Sequence, residues 1–153
     1  MIKINEKAPD FTLQSDSGDS FRLSDHEGEK ILLVFYPGDN TPVCTAQLCE
    51  YRDGIEEFSD LGVKVVGISS DDLESHREFR SKHDLPFLLL SDTDLSVAKL
   101  YDSKGVLGMK RSVFLVDEQS IIRYAHIETV ALFRRRSKEL LEAIGALEAG
   151  GED

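Results

Sequence analysis

Ile31-Leu32-Leu33-Val34-Phe35-Tyr36-Pro37-Gly38-Asp39-Asn40-Thr41-Pro42-Val43-Cys44 is the stretch that decides how this chain is read. An apolar run leads into a short loop shaped by proline and glycine, and the loop opens into a helix. The run Ile31–Tyr36 lacks the alternation of a half-exposed strand and suits a strand buried on both faces. Thr41 is a good helix N-cap, and Pro42 fits the first helical position, where a missing N–H costs nothing. Cys44 then falls in the first turn, within reach of the threonine hydroxyl. Unpaired amides and aligned peptide dipoles favour an anion there, and the thiolate is the reactive form of cysteine. Strand, loop and helix with a cysteine at the helix start point to redox or nucleophilic chemistry.

Downstream of Cys44, the residues Leu48, Tyr51, Ile55 and Phe58 recur at helical spacing, and Leu61-Gly62 marks the end of that helix. Cys44 therefore begins a buried stripe, at the floor of a pocket. Cys49 lies about 140° around the helix from it, on the polar side with Arg52, Asp53 and Glu56. The two α-carbons of an ideal helix would be about 8–9 Å apart at this spacing, whereas a disulfide needs them within about 7 Å. If the cysteines pair, the first turns must unwind.

Further apolar runs at Val63–Ile68, Phe87–Leu90 and Val113–Val116, with a strand at Ile121–Ile127, supply the rest of a sheet. Phe11-Thr12-Leu13 and Ser20–Leu23 flank Ser17-Gly18-Asp19 as an N-terminal hairpin. Helix patterns lie between the runs: Asp71-Asp72 caps one ending near His83, and Asp92-Thr93-Asp94 caps another through Tyr101. A last helix spans about Ala131 to Leu147 before a frayed end. Strands alternating with helices and closing in a strand hairpin plus helix give an α/β fold with a mixed central sheet, flanking helices and an N-terminal β-hairpin extension. A thioredoxin-like core is its economical form.

The 153 residues suit one domain, 1–153, with 41% hydrophobic and 31% charged residues. A net charge of −11 argues against nucleic acid and against an anionic membrane surface. No run approaches the ~18 apolar residues of a membrane span. The opening Met1–Lys7 is too short and polar for a signal peptide, so a cytoplasmic location is expected. In such a compartment two cysteines this close are more often catalytic, redox-active or metal-binding than structural. His26, His76, His83 and His126 show no ligand pattern, and a zinc held by Cys44 and Cys49 would lack two further ligands. No metal and no cofactor are expected.

Pro37, Thr41 and Cys44, spaced Pro-x-x-x-Thr-x-x-Cys, resemble the active-site signature of the peroxiredoxins. The fuller string Phe35–Thr45 is similar to the peroxiredoxin Q, or bacterioferritin-comigratory, subfamily. So are Ala8-Pro9-Asp10-Phe11-Thr12-Leu13, Gly67-Ile68-Ser69 and Arg111-Ser112-Val113-Phe114-Leu115-Val116-Asp117, and the likeness runs from about Glu6 to Leu147. The resemblance implies a thioredoxin-dependent hydroperoxide reductase in which Cys44 is the peroxidatic cysteine. It implies that Thr41 hydrogen-bonds peroxide and thiolate, that Arg111 holds the thiolate and the leaving oxygen, and that Pro37 shields the site. It gives Cys49 as the resolving cysteine of an intramolecular disulfide, reduced by thioredoxin or a similar dithiol. Three departures stand out: Gly38 replaces a charged residue and is expected to loosen the loop, residues 130–136 do not resemble the usual approach to the last helix, and tryptophan is absent.

On composition alone Arg111 would be a surface arginine, and Arg134-Arg135-Arg136 a solvated helix start. Other functions compete with the peroxidase. A thiol–disulfide oxidoreductase would want two residues between its cysteines, and here there are four. A redox-sensing binding protein would use the same disulfide as a switch, and an inert scaffold would leave Cys44 unreactive. An internal resolving cysteine fits a monomer or weak homodimer.

Overall fold

The computed structural model describes residues 2–105, 108–128 and 137–150. Strand β3 (Lys30–Phe35) is its spine. Ile31, Leu33 and Phe35 point into one core, while Leu32, Val34 and Tyr36 at its end point into the other. A strand with apolar layers on both sides has no polar face to alternate with, which is why its sequence is a continuous apolar run.

The other strands are β1 (Thr12–Ser15), β2 (Ser20–Arg22), β4 (Val63–Ser69), β5 (Leu88–Ser91), β6 (Lys104–Gly105), β7 (Gly108–Met109), β8 (Ser112–Val116) and β9 (Ile122–Ile127). Seven of them form one sheet in the order β2-β1-β5-β4-β3-β8-β9. The strands β3, β4 and β5 run parallel, and β8, β9, β1 and β2 are added antiparallel. The mixed sheet and the closing strand hairpin with its helix are the thioredoxin-like arrangement expected. The N-terminal hairpin is less an extension than a part of the sheet, because β1 pairs with β5.

The helices are α1 (Pro42–Asp53), α2 (Ile55–Asp60), α3 (Leu73–His83), α4 (Ser96–Leu100) and α5 (Ser137–Gly150). Leu48, Tyr51, Phe58, Phe79, Leu140 and Ile144 bring α1, α2, α3 and α5 onto the face that also holds Cys44. Phe11, Phe21, Val97, Tyr101 and Phe114 fill the opposite face. Among the described residues no helix is long and apolar enough to cross a membrane.

Two expectations are corrected. The helix expected to run unbroken to Leu61 is interrupted at Gly54, whose φ of −98° and ψ of 12° leave the helical region. Glycine is a weak helix former and yields there, yet the apolar stripe survives, with the Tyr51 and Phe58 rings 6.0 Å apart. The helix expected directly after Asp92-Thr93-Asp94 begins only at Ser96, because Leu95 turns to a positive φ of 62°. Asp92 still serves it, accepting from the amides of Val97 and Ala98. The β6–β7 hairpin was not legible in the sequence, its strands being two residues each. The expected helix start near Ala131 and the run Arg134–Arg136 lie outside the described residues.

Gly67 in β4 is fixed by close packing. A Cβ there would lie 2.8 Å from Leu89 Cδ2 and 3.2 Å from Tyr36 Cε1, both on fully buried side chains. Gly67→Ala should therefore cost about 1–3 kcal/mol by overpacking, read from urea unfolding. An unchanged midpoint would mean that Leu89 and Tyr36 repack freely.

Candidate active site

Cys44 is fully buried in the first turn of α1. Its position follows from the stripe of apolar residues on that helix: Cys44, Leu48 and Tyr51 share one face and pack under β3 and β8. Opposite it stands Arg111, the residue before β8. Side chains alternate along a strand, so Arg111 points to the same side as Val113 and Leu115, both of which belong to the Cys44 core. Arg111 is only 4% exposed, and its Nη1 donates to Cys44 Sγ at 3.1 Å. The contact sets a buried guanidinium N–H directly on the buried sulfur, the atom that acts as nucleophile in cysteine chemistry.

The same Nη1 donates to Gln47 Oε1 at 2.9 Å, and Gln47 Nε2 donates to the Tyr51 hydroxyl at 3.1 Å. Gln47 is fully buried, one turn along the helix from Cys44, and holds the guanidinium where the sulfur needs it. The sequence reading missed it. The signal was present: a glutamine three residues after Cys44 falls on the apolar stripe, where an amide has to find a partner.

Thr41 occupies the N-cap position, with an extended φ of −81° and ψ of 146°, but its side chain caps nothing. Its hydroxyl donates instead to the Gly38 carbonyl at 3.2 Å, and Thr41 itself is exposed. Pro37 is half-buried at the start of this loop. Cys49 is half-buried further along the unbroken α1, and both cysteines are free thiols. The structure thus brings Cys44 and Arg111 into contact and keeps Cys49 on the far side of the helix.

The loop is held from the other side, contrary to the expectation that Gly38 loosens it. The Asp39 amide donates to Asp71 Oδ2 at 2.8 Å, and its carboxylate accepts from the Tyr36 hydroxyl at 2.7 Å and from Ser75 Oγ at 2.8 Å. His76 Nδ1 lies 2.9 Å from the same carboxylate, with both side chains buried, and His76 Nε2 lies 3.0 Å from the Leu90 carbonyl. Burial alone would raise the Asp39 carboxyl. The hydrogen bond and charge of His76, with the Tyr36 and Ser75 donors, outweigh it and hold the carboxyl below its ordinary 3.8. Burial, then the Asp39 charge, push the Tyr36 phenol well above its usual range, so it remains a donor. Of the Asp71-Asp72 pair expected to cap α3, Asp72 does so, accepting from the Ser75 amide at 2.8 Å, while Asp71 accepts from Ser69 Oγ and the Asp39 amide. Asp39, Asp71 and His76 bring potential metal-ligand atoms within 4.8 Å of one another. Both His76 nitrogens and the facing carboxylate oxygens are already engaged in hydrogen bonds, so the trio reads as a protein-internal network rather than a metal centre.

Residues 4–125 match the AhpC/TSA family. The chain belongs to that family. Peroxiredoxin Bcp of Bacillus subtilis (strain 168) is 42% identical over 126 residues, which cover 77% of this chain and 80% of that protein. The crystal structure of peroxidoxin BcpB from Mycobacterium tuberculosis matches with a TM-score of 0.84 at 28% identity, covering 97% of this chain and 98% of that one. The bacterioferritin comigratory protein of Xanthomonas campestris, studied for alkyl peroxide reduction, matches with a TM-score of 0.79 at 28% identity, over 92% and 91% of the two chains. This peroxiredoxin is of the Bcp/Q kind, a thiol-dependent peroxidase.

Proposed function

We propose that Cys44 is the peroxidatic cysteine of this peroxiredoxin, acting on hydrogen peroxide and organic hydroperoxides. The observation that carries this reading is the 3.1 Å contact between Arg111 Nη1 and the buried Cys44 sulfur. The Cys44 thiolate attacks the terminal peroxide oxygen. An S–O bond forms, the O–O bond breaks, and the departing alkoxide or hydroxide takes a proton to leave as alcohol or water. Arg111 stabilises the charge that moves from sulfur to the leaving oxygen. The Thr41 hydroxyl, donating to the Gly38 carbonyl, keeps its oxygen lone pairs for the peroxide proton. Pro37 closes the loop side of the pocket.

Cys49 then attacks the Cys44 sulfenic acid, releasing water and leaving an intramolecular disulfide. Thioredoxin or a similar dithiol reduces it by exchange. The helical separation of the two sulfurs supports a resolution step that unwinds the start of α1, because a disulfide does not fit across five residues of intact helix. Both cysteines lie in one chain, so the chemistry needs no second subunit, consistent with a monomer or weak homodimer of one domain. The alkyl peroxide reduction reported for the Xanthomonas relative supports hydroperoxides as the substrate class, and the charge of −11 supports a protein that works on neither nucleic acid nor membrane.

Cys49→Ser tests the division of labour. Turnover with thioredoxin and its reductase should fall by at least about tenfold, while dithiothreitol, which reaches the sulfenic acid directly, should sustain peroxide consumption. Equal turnover of wild type and Cys49→Ser with thioredoxin would remove Cys49 from the cycle. A wild type that consumes only one equivalent of peroxide in either system would make the chain a redox-sensing binding protein instead.

A further inference from the structure

Two fastenings grip the ends of the segment that carries both cysteines, and both are made to α3. Upstream, the Asp39 carboxylate is held by Ser75 and His76 in the first turns of α3 and by Tyr36 at the end of the β3 run. Downstream, Arg52 Nη1 donates at 2.7 Å to the carbonyl of His83, the last residue of α3. Residues 40–51 lie between the two anchors, and with them Thr41, Cys44 and Cys49. We propose that α3 is a frame that confines the unwinding of α1 to this segment, and that the clamp of Asp39 on Ser75 and His76 sets how fast Cys44 reaches Cys49. The inference rests on Cys49 being the resolving cysteine.

The physical basis is the freedom released when the first turn opens. Unwinding gives up hydrogen bonds such as Thr45 N to Thr41 O at 2.9 Å, and gains conformational entropy in return. A segment pinned at both ends gains less than one with a loose end. The upstream pin is strong because it is charged and buried. Asp39 is the anion, and the fully buried His76 ring bridges its carboxylate at 2.9 Å and the Leu90 carbonyl at 3.0 Å. Pulling the loop away would strip the Asp39 carboxylate of the donors that compensate its burial. The Thr41 hydroxyl on the Gly38 carbonyl ties the helix start to the residue beside the pin. The first turn therefore opens against a loop that α3 holds in place.

Opening speed decides the fate of the Cys44 sulfenic acid. In the open segment the Cys49 thiolate displaces hydroxide from the Cys44 sulfur, a sulfur–sulfur bond forms, and water leaves. In the closed pocket the sulfenate attacks a second hydroperoxide, an S–O bond forms as the O–O bond breaks, and sulfinic acid and alcohol result. The first route is independent of peroxide and the second grows with it. A firm clamp shifts the balance toward sulfinic acid, and Asp39→Asn or Ser75→Ala should shift it back.

The reduced full-length chain is mixed with one equivalent of hydrogen peroxide, quenched by acid at intervals, and the sulfenic and disulfide forms are resolved by mass. The closure rate constant should rise by about tenfold in Asp39→Asn, the size expected for loss of charge-assisted bonds to the closed loop. In Ser75→Ala, which removes one neutral donor, it should rise by about threefold. The sulfinic fraction at a fixed excess of peroxide should fall by matching factors. Damage to the pocket would slow the first step and would not speed closure, so a faster closure is a signature that a merely structural role does not give. Closure as slow as wild type in Ser75→Ala overturns the clamp whether or not Asp39→Asn folds. A wild type that never closes the disulfide overturns instead the assignment of Cys49.

Discussion

Cys44→Ser abolishes peroxide turnover, by at least about a thousandfold in the second-order rate constant. The serine hydroxyl would sit where the sulfur sits, fully buried in the first turn of α1 under Arg111. It would accept the Arg111 hydrogen bond and keep the packing against Leu48 and Tyr51, so the fold should survive the change. It is not ionised at neutral pH and attacks an O–O bond far more weakly than a thiolate, so geometry is retained while the nucleophile is lost. The check is peroxide consumption by Cys44→Ser with dithiothreitol, alongside a thermal unfolding curve. A midpoint within a few degrees of wild type with no turnover assigns the chemistry to the sulfur. Turnover within about tenfold of wild type in the serine variant would leave the peroxidatic role to another group.

How much of this was legible before the structure depends on how local each feature is. The run Ile31–Tyr36, the loop and the stripe Cys44, Leu48, Tyr51 and Phe58 are short-range patterns, and each stands where the spacing put it. The break at Gly54 was a local signal passed over in favour of the continuous stripe. Gln47 was also readable, as an amide on an apolar face. The partnership of Asp39 with His76 was not. It joins residues 37 positions apart, and it forms because β3 and the start of α3 are brought together by the parallel pairing of β3 with β4. Nothing in a helical wheel or a turn pattern carries that information. Arg111 shows the same limit from the other side: its contact with Cys44 spans 67 positions and depends on β8 pairing antiparallel with β3. For the sequence it was an ordinary arginine whose role came only from resemblance.

That contact yields the second large expected effect. Arg111→Gln should lower the second-order rate constant for peroxide by about a hundredfold to a thousandfold, the range seen when one buried donor to developing charge is removed. Two losses add up. The thiolate loses the cation that favours it, and the leaving oxygen loses the donor that takes up its charge. Arg111→Lys separates charge from shape. An ammonium retains the positive charge, but it lacks the rigid planar Nη1 whose two N–H bonds are aimed at Cys44 Sγ and Gln47 Oε1. The lysine variant should therefore fall between wild type and glutamine. The measurement is the rate of Cys44 oxidation in a single turnover, before any reduction step, so that resolution and recycling play no part. If Arg111→Gln oxidises within about threefold of wild type, the guanidinium is a structural neighbour of the sulfur and the helix start alone supports the thiolate. If lysine matches glutamine, the planar geometry of the guanidinium matters more than the charge, and Gln47, which holds its Nη1, becomes part of the machinery that sets the rate.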